Sequence, residues 1–168
     1  MDAAARHPAQ PARSLTAAEQ MRAAYWEGFF AYASGLPAYT AVFRDPAGRH
    51  TRSNFASAMI GIPTCHPEAT IDVAHDRIGI SVYCSSVETY AMLHEHLGEF
   101  RALAVKLDAS MSADPVHGAV GSTRRKPTTR YLKLDRAADF DAHDWSGLYA
   151  WHATGLLRLR ELILGILS

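Results

Sequence analysis

A run of basic side chains in the last third of the chain is the first feature with clear chemical potential. Arg124, Arg125 and Lys126 are consecutive, and Arg130 and Lys133 follow in a segment with strand periodicity. Cations along a strand and the loop before it can contact the phosphates of a nucleic acid without any further motif. A charged run in a loop is also commonly a solvated surface. Nucleic-acid association, with DNA or RNA as the partner, is therefore one alternative function.

Polar side chains on two neighbouring strands form a second candidate site. The apolar residues of 69–84 share one face of a predicted hairpin, so Asp72, Ser81 and Tyr83 are expected on the other face. Asp72 is expected opposite Ser81. Arg130, on a later strand, could pair with the Asp72 carboxylate across this polar face. If these groups line a cleft, an enzyme working beside Asp72 and Arg130 is a further alternative.

The spacing of potential metal ligands does not match a known kind of site, although the chain has nine histidines. A magnesium-dependent nuclease of the restriction-enzyme type needs an acidic residue two positions before a lysine, and none of the lysines here has one. His94 and His96 are two residues apart on a predicted helix, about 200° around it, and cannot face the same zinc ion. We expect no metal and no cofactor.

Nucleophilic catalysis has one candidate, the thiol of Cys84. Its position on the apolar face of the predicted hairpin indicates a buried, inert thiol. No serine stands in a glycine-rich elbow, and the phosphate-binding loop patterns are missing from the sequence. No catalytic residue can be assigned, and the sequence favours a protein that is not an enzyme.

Composition limits the remaining possibilities. Lysine plus arginine equals aspartate plus glutamate, 17 each, so no long-range field draws the chain to nucleic acid or to an anionic membrane. The most apolar stretch, 156–167, is shorter than a membrane span of about 20 residues and contains three charges. Two cysteines give no disulfide framework, which favours a reduced, cytoplasmic location.

The length of 168 residues suits one domain. Residues 1–14, rich in Ala, Pro and Arg, are expected to be a disordered tail, and residues 15–168 a single domain. Thr16 with Glu19, and Ser85 with Glu88, have the spacing of capping boxes and predict two helix starts. The first helix should end near Gly35, the second should run unbroken to Leu107, and a third should begin near residue 143.

The hairpin within 69–84 positions the polar candidates. Its alternating apolar residues predict a turn centred on Asp76 and Arg77, with Ile71 opposite Val82 and Ala69 opposite Cys84. Residues 55–62, apolar on both faces, predict an interior strand, and residues 128–135 a last strand. Residues 110–126 are expected to be a loop. We therefore predict an α+β fold, a small, mainly antiparallel sheet of about four strands covered on one face by three long helices.

Several short motifs follow one another from Tyr25 onward: Tyr25-Trp26-Glu27-Gly28-Phe29, Ile80-Ser81-Val82-Tyr83, Leu93 with Phe100, Arg130-Tyr131-Leu132, and Asp144-Trp145 with Trp151. Their order resembles domain of unknown function family 4268, a bacterial and archaeal module. Ser81, Arg101 and Val105 depart from the residues expected in that family. The resemblance implies no activity, since none is established for the module. Members often follow a nuclease-like domain, which implies an association with DNA handling.

The last predicted helix is apolar over a wide arc, from Leu156 to Ile166. A monomer need bury only one stripe, so the surplus indicates a homodimer through this C-terminal helix, unless the first helix covers it. The sequence as a whole favours a non-catalytic binding or assembly module of a bacterial cell.

Overall fold

A computed structural model of the protein describes residues 14–43, 53–118, 126 and 128–168. The prediction of a disordered tail falls almost wholly outside these residues. Five helices and five strands lie within the described ranges. In chain order they are α1 (Ala17–Ser34), α2 (Pro37–Thr40), β1 (Phe55–Ser57), β2 (Cys65–Asp72), β3 (Arg77–Cys84), α3 (Val87–His94), α4 (Leu97–Lys106), β4 (Ser110–Ala113), β5 (Arg130–Ala137) and α5 (Ser146–Leu167). The predicted α+β class is confirmed.

All five strands form one antiparallel sheet in the order β1-β2-β3-β5-β4. The strand beyond the predicted four is β4, which lies in the segment expected to be a loop. It has only four residues, three of them exposed, so its short Ser-Met-Ser-Ala alternation gives little signal within a polar segment. Its pairing with β5, which sets Met111 opposite Leu134, makes it a strand.

The predicted register of the hairpin is wrong by four residues. Ile71 lies opposite Ile78 rather than Val82, because β2 begins at Cys65 and residues Val73–His75 form a 3-10 turn. Asp76 closes this turn with φ of 47°, a left-handed conformation that aspartate tolerates. An even displacement keeps every side chain on its predicted face. Ile71, Ile78 and Val82 are accordingly all buried.

The predicted interior strand over 55–62 is also wrong. Only residues Phe55–Ser57 pair, at the edge of the sheet. Ala56 and Ala58 are buried in the core, whereas Met59 is 60% exposed and Gly61 has φ of +84°. The run of apolar residue types therefore reflects a short edge strand followed by an irregular segment.

The first capping box is confirmed. The Thr16 hydroxyl accepts a hydrogen bond from the Glu19 N–H, and the Glu19 carboxylate accepts one from the Thr16 N–H. The predicted second helix is instead two helices, α3 and α4, which meet at Glu95 and His96, and its cap is Ser86. Leu93 and Phe100 are both fully buried. Apolar spacing continues across the break, so periodicity could not reveal it.

The core lies between the helices and one face of the sheet. Tyr25, Trp26 and Phe29 of α1 and Leu156 and Leu159 of α5 are completely or almost completely buried there. Gly155 brings α5 close to β3, since a Cβ at this position would lie 3.0 Å from Ile80 Cδ1. Among the described helices, none is both long enough and apolar enough to cross a membrane.

Candidate binding surface

In the described part of the chain, no helix covers the opposite face of the sheet, which we term the open face. It carries the alternate side chains of all five strands, set in rows by the register. The side chains that matter here are Phe55, Ser57, His66, Glu68, Thr70, Asp72, Arg77, Ser81, Tyr83, Ser110, Ser112, Tyr131, Lys133 and Asp135, with Gly79 between them. Sequence alternation correctly assigned Asp72, Ser81 and Tyr83 to this face.

Three rings, from His66, Tyr83 and Tyr131, form one row that we term the aromatic row. His66 and Tyr83 are stacked, with centroids 4.8 Å apart and an angle of 25° between the ring planes. Tyr83 and Tyr131 meet edge to face at 5.6 Å. Lys133 Nζ lies 5.4 Å from the centroid of the Tyr131 ring. All three rings are partly exposed, and a cation lies beside the row.

The next row holds two buried polar groups. Glu68 is 5% exposed, and its Oε1 accepts a hydrogen bond from the Ser57 hydroxyl at 3.4 Å and lies 3.3 Å from His66 Nε2. Ser81 is 1% exposed, between its register partners Glu68 and Lys133. Its hydroxyl has no hydrogen-bond partner within the described residues. An unsatisfied buried hydroxyl costs about 1–3 kcal/mol.

A hollow lies further along the open face, above Gly79. A Cβ on Gly79 would overlap Asp135 Oδ1 and lie 2.7 Å from Thr70 Oγ1, so only glycine lets these two side chains converge. Burial raises the pKa of the Asp135 carboxyl, and the cations of Arg77 and Lys133 oppose that shift. The hollow belongs to an open depression of about 800 Å³.

Asp72 and Arg130 do not share a cleft, which corrects the enzyme hypothesis built on them. Asp72 pairs with Arg77 and Arg130 with Cys84, at opposite ends of β3, roughly 24 Å apart along the strand. The Asp72 carboxylate lies instead 2.8 Å from His75 Nδ1.

Arg130 lies on the helix-covered face, in the same alternation as Leu132 and Leu134, and is 3% exposed. Its guanidinium donates hydrogen bonds to the carbonyl oxygens of Pro115 at 2.9 Å, Gly118 at 3.1 Å and Thr129 at 3.2 Å. Arg130 therefore holds the segment that precedes β5 and is not available to a nucleic acid.

The other predicted cations have different positions. Arg124 and Arg125 lie outside the described residues, Lys126 is exposed, and Lys133 is on the open face. Sequence reasoning missed His66, Glu68 and Tyr131 as site residues. The first half of β2 was not predicted as a strand because it contains Pro67, and a proline within an alternating segment argues against a strand.

On the core side of the sheet, directly beneath the hollow above Gly79, lies the imidazole of His152 of α5. The residue is completely buried, with Nε2 2.9 Å from the Gly79 carbonyl oxygen and Nδ1 2.8 Å from the Tyr25 hydroxyl. A carbonyl only accepts, so Nε2 carries the proton and Nδ1 accepts from Tyr25. Burial lowers the pKa of His152 to about 4. This neutral imidazole connects α1, α5 and β3.

Both cysteines are free and completely buried, directly opposite each other at the end of the β2–β3 pair. The Cys65 thiol and burial raise the pKa of the Cys84 thiol, so Cys84 is neither exposed nor a thiolate. Within the described ranges, no three His, Cys, Asp or Glu side chains are grouped as metal ligands would be.

Comparison of the chain with protein-family models, with curated proteins and with solved structures finds no match. The resemblance to domain of unknown function family 4268 stays a prediction.

Proposed function

We propose that the protein is a non-catalytic binding module and that the open face is its ligand-binding surface. The observation that carries this proposal is the aromatic row. His66, Tyr83 and Tyr131 contact one another on a face that no described helix covers, and each ring keeps part of its surface exposed. Exposed aromatic groups rimmed by polar residues are typical of interaction sites.

The surroundings of the reactive groups favour binding over catalysis. A serine nucleophile needs a base within hydrogen-bond distance, and the Ser81 hydroxyl has no hydrogen-bond partner among the described residues. The Cys84 thiol faces the core, and the His152 imidazole is fully buried with both ring nitrogens engaged. The Cys84 thiol and the His152 imidazole are therefore separated from the open face, and the Ser81 hydroxyl on that face has no base within hydrogen-bond distance among the described residues.

An NMR screen with small planar compounds, such as uridine and free tryptophan, tests the proposal. We expect binding to shift the ring signals of Tyr83 and Tyr131. The ring signals of Tyr25 should stay in place, because this ring is fully buried on the helix-covered side of the sheet. Shifts confined to the depression between α4 and α5, lined by Leu103 and Leu162, would refute the proposal, as would the lack of any shift.

The homodimer through α5 and the cytoplasmic location stay predictions. α5 buries Trp151, Leu156, Leu159 and Ile163, whereas Leu164 and Ile166 near its end are only partly buried. A second copy of the chain would cover these last residues.

A further inference from the structure

We infer that Cys65 and Cys84 are a redox site, which closes to a reversible disulfide between β2 and β3 when a small-molecule disulfide oxidises it. In the structure both residues are free thiols on the core face of the sheet. The proposed function uses neither thiol, so the two proposals are independent of each other.

The two cysteines have the register that a cross-strand disulfide needs. Cys65 is the first residue of β2 and Cys84 the last residue of β3, and they lie directly opposite each other. The Ser85 N–H donates a hydrogen bond to the Thr64 carbonyl oxygen at 2.9 Å, so the adjacent pair is joined through its backbone. Pair types alternate along an antiparallel ladder, and Cys65 and Cys84 therefore form a non-hydrogen-bonded pair, with Cα atoms about 4.5 Å apart. Disulfides span Cα separations of about 4.4–6.8 Å, so the bond can form without separating the strands.

The side chains of the pair contact each other within the core. Both are completely buried, and the Cys84 thiol forms a hydrogen bond with the Cys65 thiol. They are also the only two cysteines of the chain. Neither thiol therefore has a competing partner in its own chain, and the disulfide that can form is a single one.

The disulfide forms by two exchange steps. The thiolate of one cysteine attacks a sulfur of a small disulfide such as oxidised glutathione, which makes a mixed disulfide and releases one small thiol. The second cysteine then attacks the protein sulfur of the mixed disulfide, closes the bond between Cys65 and Cys84 and releases a second small thiol. Two electrons and two protons pass from the protein to the oxidant. An excess of a small dithiol reverses both steps.

Burial makes this reaction slow while the strands are closed. The Cys65 thiol and burial raise the pKa of the Cys84 thiol, and the thiol form is not the nucleophile. The pair is nevertheless the last of the β2–β3 ladder. Beyond it the Ser85 N–H and hydroxyl both donate to the Thr64 carbonyl oxygen, at 2.9 and 3.5 Å. Local opening costs less free energy than global unfolding, so opening of this end of the sheet exposes the thiols to the oxidant.

The bond would connect the strands next to two rings of the aromatic row. His66 follows Cys65 and Tyr83 precedes Cys84, and the two rings are stacked. Oxidation therefore fixes the spacing of β2 and β3 at this point. It also closes a loop of about 20 residues in the unfolded chain, which favours the folded state.

Mass spectrometry and thermal unfolding of the wild type test the inference. Incubation of the folded protein with oxidised glutathione at about pH 8 should give a species lighter by two hydrogen atoms. Peptide mapping should then find the Cys65 peptide joined to the Cys84 peptide. The oxidised protein should unfold at a Tm higher by roughly 5–10 °C, and dithiothreitol should reverse both changes.

Cys65→Ala and Cys84→Ala are the matched controls. Each variant keeps one thiol, so neither should lose mass on oxidation. In each, oxidised glutathione should leave the Tm at or below that of the reduced variant, because a glutathione adduct does not fit the core. The mass measurement on the wild type needs no variant, so it remains decisive even if an alanine variant does not fold.

The contradicting outcomes are specific. Glutathione adducts on separate cysteines without an internal disulfide would show that the inference is wrong. A disulfide that forms only above the midpoint of urea unfolding would overturn it too, because the product would then belong to the unfolded chain. The rate should instead rise at urea concentrations below the midpoint, where local opening is promoted. The NMR screen of the open face contains no oxidant, so the failure of one proposal does not affect the other.

Discussion

At the scale of single residues, the buried imidazole of His152 couples protonation to stability. Its pKa is about 4 in the folded protein and about 6.5 in an unfolded chain. As pH falls below about 6.5, His152 binds a proton in the unfolded chain but stays neutral in the folded protein. The contribution of the neutral His152 to the free energy of unfolding is therefore full above a pH of about 6.5. It decreases by up to about 3 kcal/mol as pH falls towards 4.

Urea unfolding of the wild type and of His152→Gln between pH 4 and 7.5 measures this contribution. The variant should be less stable at pH 7, because the substitution disturbs the hydrogen bonds of His152 with Tyr25 and Gly79. Because glutamine does not titrate, the variant should lose less stability than the wild type as pH falls to 4. The other histidines are common to both proteins. Equal slopes in the two proteins would show that His152 is not the buried neutral group described above.

Sequence patterns predicted which face of the sheet a side chain lies on more accurately than they predicted which residues lie next to it. Alternation correctly placed Asp72, Ser81 and Tyr83 on the polar side, because side-chain direction depends only on whether a register shift is odd or even. Distances along the sheet depend on the register itself. Residues Val73–His75 belong to the turn rather than to the strand. Asp72 therefore lies opposite Arg77 and not opposite Ser81.

At the scale of elements, the crossing of α1 and α5 depends on a glycine. A Cβ at Gly28 would overlap the Tyr149 hydroxyl and lie 2.7 Å from its Cζ. The sequence showed Gly28 only as a gap in an apolar stripe, because the partner ring comes from a helix more than one hundred residues later. Long-range packing of this kind leaves no local pattern.

Gly28→Ala should destabilise the protein by about 1–3 kcal/mol, since overpacking against the Tyr149 ring, which contacts the buried rings of Tyr25 and Phe29, outweighs the gain in helix propensity. Gly165→Ala is the matched control, because Gly165 is also helical and a Cβ there would meet nothing within 4 Å. That variant should be unchanged or stabilised by up to about 1 kcal/mol. Thermal unfolding of both variants checks the pair, and shifts of the same sign and size would contradict the assigned packing.

At the scale of the whole molecule, the sheet is asymmetric. One face is sealed by aromatic and aliphatic side chains from the helices, and the other presents polar groups and the aromatic row. The sequence predicted this division, because one-sided alternation implies one buried face. The aromatic row itself was not predicted, since it needs the correct register of three strands at once.

Solvent paramagnetic relaxation tests directly, and without any ligand, whether the aromatic row is open to solvent. A soluble gadolinium chelate should broaden the ring signals of Tyr83 and Tyr131 strongly, while those of the buried Tyr25 and Tyr90 should stay sharp. If the Tyr83 and Tyr131 rings are as well protected as the Tyr25 ring, the open face is covered and cannot be the binding surface.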